Sequence, residues 1–138
     1  MQKRFSILAL VVLSLFLFSY SCQDHVVPGV PPQLKTLPFS GGQNAKCSLT
    51  YTVEVTDVGT IPVKEYGVVF SAVNDGRTFV VNPTVADNIR VIVALPFVAG
   101  PKSNAGPQIC TNRINYRAYA ILQDDSVVYG NTLNYNDN

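Results

Sequence analysis

Residues 46–56 read Lys46-Cys47-Ser48-Leu49-Thr50-Tyr51-Thr52-Val53-Glu54-Val55-Thr56. Cys47, Leu49, Tyr51, Val53 and Val55 fall on one side of an extended chain. Lys46, Ser48, Thr50, Thr52, Glu54 and Thr56 fall on the other. A period of two with a polar outer face is the pattern of a half-buried strand. Working outward, residues 57–62 carry a turn and residues 64–73 a second strand. Asn74-Asp75-Gly76 is a strong turn signal. Residues 78–81 and 88–95 read as two further strands on either side of Pro83. Residues 98–108 hold Gly100, Pro101, Gly106 and Pro107 and read as a long loop. Residues 113–123 form a strand, Asp124-Asp125-Ser126 turns it, and residues 127–135 make the last. Nothing after the first 21 residues reads as an amphipathic helix. Val, Thr and Tyr are plentiful and charged residues make up only 14% of the chain, which favours strands. Short strands at regular spacing imply an all-β antiparallel sandwich.

Upstream of the strands the chain changes character. Lys3 and Arg4 precede an apolar run from Ile7 to Phe18, followed by Ser19-Tyr20-Ser21-Cys22. This is the layout of a secretory signal peptide. The run is short for a membrane span, which needs roughly 20 residues. The last four residues resemble a lipobox. They depart from the usual pattern at Ser19, where leucine is commoner, and at the bulky Tyr20. The resemblance implies cleavage before Cys22 and lipid attachment to its thiol. Residues 1–21 are then a lipoprotein signal peptide, and the mature protein is a lipoprotein of the bacterial envelope, at the outer membrane or cell surface. The other reading is cleavage by the general signal peptidase with Cys22 incidental. Residues 22–37 contain Pro28, Pro31 and Pro32 and read as a proline-rich tether. The folded domain is expected over residues 38–138.

A further resemblance lies in Glu65-Tyr66-Gly67-Val68-Val69-Phe70-Ser71, Tyr116-Arg117-Ala118-Tyr119-Ala120 and Val128-Tyr129-Gly130-Asn131. In order and spacing these are similar to the fibronectin type III-like repeats of bacterial surface proteins. The similarity covers most of residues 46–136. Phe70 stands where those repeats usually have tryptophan, and Ile114 where they have the tyrosine of the corner motif. The loop before Arg113 is also longer. The family implies an immunoglobulin/fibronectin type III-like sandwich of about seven strands. In an immunoglobulin-like topology the second and sixth strands run the same way in opposite sheets. Cys47 opens one and Cys110 precedes the other, so a bridge between them is expected. The alternative is two buried free thiols. Lipidation of Cys22 would leave no odd thiol among the three cysteines.

Chemistry is sparse. The only histidine, His25, lies in the tether, so no serine–histidine or cysteine–histidine pair is expected. Zinc needs clustered Cys or His, which are absent. Asp124 and Asp125 read as turn residues. Asp75 and Asp87 are the acidic candidates for calcium, without an Asp-x-Asp-x-Asp-Gly loop. There is no basic block for nucleic acid. No catalytic residue, cofactor or metal is expected. Two places are candidates for binding. One is the outward face of the 113–123 strand, with Asn115, Arg117, Tyr119 and Ile121, where Arg117 is expected to pair with Glu65. The other is the loop carrying Phe97, Val98, Lys102, Ser103 and Asn104. The functional expectation is a monomeric, lipid-anchored binding module with an envelope protein or glycan as partner. The rival is a structural or assembly subunit acting through an edge strand.

Overall fold

The alternation at residues 46–56 becomes a strand, Thr50–Asp57, with Tyr51, Val53 and Val55 buried and Thr50, Thr52 and Glu54 half-exposed. It is the second of seven strands among the described residues of this computed structural model, which covers residues 28–41, 47–73, 75–108 and 110–136. The expected signal peptide, Cys22, His25, Lys46 and Asn74 lie outside the described residues. The strands are β1 (Gln33–Ser40), β2 (Thr50–Asp57), β3 (Val63–Ala72), β4 (Ile89–Val93), β5 (Gly100–Ala105), β6 (Arg113–Leu122) and β7 (Val127–Asn136). They form two antiparallel sheets, in the orders β1-β2-β5 and β4-β3-β6-β7. The arrangement is an all-β sandwich compatible with an immunoglobulin-like topology.

The core lies between the sheets. Tyr51, Val53 and Val55 face Tyr66, Val68, Phe70 and Ala72 of β3 and Ile114, Tyr116, Ala118, Ala120 and Leu122 of β6. Its aromatic side chains gather toward one end. Tyr51 stacks on Phe70 at 5.3 Å, and Phe39 packs on Tyr116 at 5.5 Å and on Tyr135 at 5.2 Å. Such ring pairs add to the burial of their area.

Strand directions give the molecule two poles. One collects the entering chain at residues 28–32 and the connections 58–62, 94–99 and 123–126. The other collects the β1–β2, β3–β4 and β5–β6 connections. A Cys47–Cys110 disulfide closes the second pole, with Cα atoms 4.0 Å apart. β2 and β6 do run the same way in opposite sheets, as the bridge requires. It sits at the rim rather than in the core, with Cys47 half-buried and Cys110 exposed.

Three boundaries differ from the sequence reading. Residues 33–37 belong to β1, so the expected tether reaches only to residue 32. Residues 98–108 are not a plain loop, because Gly100 to Ala105 pair with β2 from Val55 back to Thr50. Residues 78–81 form no strand; the stretch between β3 and β4 instead crosses the outer face of the second sheet.

β1 also closes one side of the sandwich. The Thr36 hydroxyl donates to the Asn131 carbonyl and accepts the Ala118 N–H at 2.8 Å. The Thr36 N–H donates to Asn131 Oδ1 at 2.9 Å. Register between β6 and β7 shifts between Arg117 and Tyr119, and the Ala118 N–H that the shift leaves without a ladder partner finds Thr36. Gly130 lies at the same crossing. A Cβ there would press on the Leu34 carbonyl, Ala118 Cβ and Thr36 Oγ1, so β1 approaches this closely because residue 130 has no side chain.

Candidate functional site

The outward side chains of β3 and β6 are Glu65, Gly67, Val69 and Ser71, and Asn115, Arg117 and Tyr119. The register sets Tyr119 directly opposite Gly67. This face is not open. Val69, Ser71 and Tyr119 are all 0% exposed and Asn115 is 6% exposed. Residues 75–88, between β3 and β4, lie over it as a strap. Four backbone groups of the strap are held by side chains of the sheet. Ser71 Oγ accepts the Val80 N–H at 3.1 Å, and Asn115 Nδ2 donates to the Val80 carbonyl at 2.8 Å. Arg117 Nε donates to the Pro83 carbonyl at 2.7 Å, and the Tyr129 hydroxyl accepts the Val85 N–H at 3.1 Å. A polar strap backbone laid on a sheet requires such partners.

The expected binding residues therefore divide. Tyr119 offers no open surface to a partner. It is buried, and its hydroxyl donates to Glu65 Oε1 at 2.8 Å. Burial first, then that hydrogen bond and the Glu65 charge, push its pKa well above the ordinary tyrosine value, so it stays a neutral donor. Arg117 does not pair with Glu65. Its guanidinium lies 3.7 Å from the centre of the Tyr129 ring, while Arg90 Nη1 takes Glu65 Oε1 at 2.7 Å. Burial likewise raises the Tyr51 and Tyr116 pKa values. None of these hydroxyls is arranged as a base or nucleophile.

The second candidate group is split between a strand and a pole. Lys102 and Asn104 stand on β5. The Asn104 amide donates to the Ile92 carbonyl and so caps the open edge of β4. Phe97 packs edge-on against Tyr66 at 4.9 Å. It also lines a groove of about 440 Å³ with Val58, Ile61, Val63, Leu95 and Pro96. Val30 borders this groove through the Thr60 N–H, which donates to its carbonyl at 2.8 Å. Leu95 is 55% exposed. The sequence marks residues 57–62 only as a turn; the signal for the groove is Val58 and Ile61 standing in that turn.

The strap carries a second groove, of about 370 Å³, lined by Arg77, Thr78, Val80, Asn82, Thr84, Asp87 and Asn88. Part of its polarity is internal. Arg77 Nη1 donates to the Asp87 carbonyl at 2.6 Å, and Thr84 Oγ1 donates to Asp87 Oδ2 at 3.0 Å. The two calcium candidates serve the strap. Asp75 accepts the Ala72 N–H at 3.0 Å and the Arg77 N–H at 2.8 Å, and Asp87 holds Thr84. Among the described residues no three His, Cys, Asp or Glu side chains gather as a metal site. Asp124 reads as a turn residue here too. The Ser126 hydroxyl and N–H donate to it and lower its pKa. No family model matches this chain, and no curated protein matches it.

Proposed function

We propose that this chain is a non-catalytic interaction module of the bacterial envelope, held by a lipid on Cys22 and built on a fibronectin type III-like sandwich. The observation that carries this reading is the strap. A long connection on a rigid sheet is a common seat of recognition. This one is fastened by Ser71, Asn115, Arg117 and Tyr129 and presents Arg77, Thr78 and Asn82 around a polar groove. Such a groove suits an envelope protein or a glycan, both of which offer hydrogen-bonding groups. The rival role, assembly through an edge strand, draws less support, because Asn104 occupies an outward carbonyl of the β4 edge.

The test uses the full chain in bacterial cells. Metabolic labelling with a palmitate analogue should mark the protein and fail to mark Cys22→Ala. A photo-cross-linker at Asn82 should capture one reproducible partner, and the same group at Glu54, on the opposite sheet, should not. Equal capture from both positions would remove the strap as the recognition surface.

A further inference from the structure

We infer that the pole where the chain enters the domain is a membrane-docking surface, and that its groove rests on the lipid bilayer. This deepens the proposed function and depends on lipid attachment at Cys22.

Reach decides which pole meets the membrane. Only the residues from Gln23 to Val27 separate Cys22 from the described domain, which begins at Pro28. At no more than about 3.5 Å per residue they extend roughly 20 Å. β3 and β6, with 10 residues each, run the length of the sandwich, about 33 Å at strand spacing. The leash is shorter than the body it holds, so the domain cannot stand on its far pole with the near pole raised away from the surface. The near pole is held beside it.

That pole is apolar on one side. Val30, Val58, Leu95 and Val98 are each between 40% and 55% exposed, and Phe97 and Ile61 lie behind them. Gly59 makes the cluster possible. Its φ is +63°, and a Cβ there would strike the Val30 carbonyl, so the 58–62 turn folds tightly against the entering chain. Among the described residues, the charged groups in the turns of this pole or next to them are Asp57, Lys64, Asp124 and Asp125, with Lys35 and Glu54 paired across β1 and β2 farther in. Lys64 is paired with Asp125, which leaves the pole acidic. An acidic rim gains nothing from anionic lipid, so the contact is apolar and forms on neutral phosphatidylcholine. The diacylglyceryl group that a lipobox cysteine carries has two acyl chains and anchors firmly by itself, so aliphatic side chains that enter the headgroup boundary fix the orientation of the domain on the membrane.

The chain has no tryptophan, so one introduced tryptophan reports alone. Full chain carrying Leu95→Trp, or Val81→Trp on the strap, is purified from bacterial membranes and reconstituted into phosphatidylcholine vesicles. Both positions are exposed, and circular dichroism confirms that each variant folds. Leu95→Trp should emit at shorter wavelength on vesicles and lose most of its intensity to brominated phosphatidylcholine. Val81→Trp should do neither. If the protein floats with the vesicles but Leu95→Trp is neither shifted nor quenched, the anchor stands and docking is wrong. A blue shift without bromine quenching means that protein fills the groove, whether the chain's own leader or a second copy, and also overturns docking. A protein that does not float at all defeats the anchoring reading, and this inference with it.

Discussion

At the scale of single residues, the side chain that ties the most together is Thr36. It is 2% exposed and its hydroxyl joins three strands. It donates to β7 at the Asn131 carbonyl and accepts from β6 at the Ala118 N–H. A buried N–H left without a partner costs about 1–3 kcal/mol. Thr36→Val keeps the shape of the side chain and removes both bonds. It should lower the unfolding free energy by about 2 kcal/mol in urea titration, with the denaturant slope unchanged. Thr36→Ser keeps the hydroxyl and should cost less. A Thr36→Val variant as stable as the parent would mean that another group satisfies Ala118. The same residue explains part of what the sequence hid. An inward position held by threonine instead of an aliphatic residue weakens the alternation by which β1 would be recognised.

At the scale of elements, legibility followed burial. β2, β3, β6 and β7 were readable because their inward positions are apolar. β5 was not. Gly100-Pro101-Lys102-Ser103-Asn104-Ala105 has no apolar alternation, and it is a strand by backbone pairing to β2 alone. Proline is tolerated there because the strand is at an edge. β1 was obscured twice, by the prolines around it and by the register shift between Leu37 and Ser40 that breaks its period. The candidate site misled for a different reason. Parity correctly put Arg117 and Tyr119 on the outward face, but periodicity does not reveal that a distant connection roofs that face. The strap has its own stability, set by a few bonds. Tyr129→Phe keeps the ring under Arg117 and removes the acceptor of the Val85 N–H. A lost hydrogen bond of about 1 kcal/mol speeds local opening about fivefold. Hydrogen exchange at Val85 should accelerate by that factor, while amides of β3 and β6 keep their protection. Acceleration across both strands would mean that strap and sheet open as one unit.

At the scale of the whole molecule, the two poles are stabilised by different means. The entering pole is closed by short turns and by the backbone pairing of Val30 with Thr60. The far pole gathers the longer connections, and there the Cys47–Cys110 bridge joins the lead-in of β2 to that of β6, across the two sheets. Its partners are 63 residues apart, which by loop-closure entropy contributes about 4 kcal/mol. A domain of this size is typically stable by about 5–15 kcal/mol, so the bridge is a large share of the total. The core is continuous without it, because Tyr51, Phe70 and Tyr116 pack together just inside. A Cys47→Ala/Cys110→Ala variant should therefore still fold, with a Tm lower by about 15–30 °C. The parent should show the same fall when reductant is added. A Tm within a few degrees of the parent would mean that the aromatic cluster alone closes this pole. In that case the strap, which springs from the same pole, would owe its position to its side-chain bonds and not to the bridge.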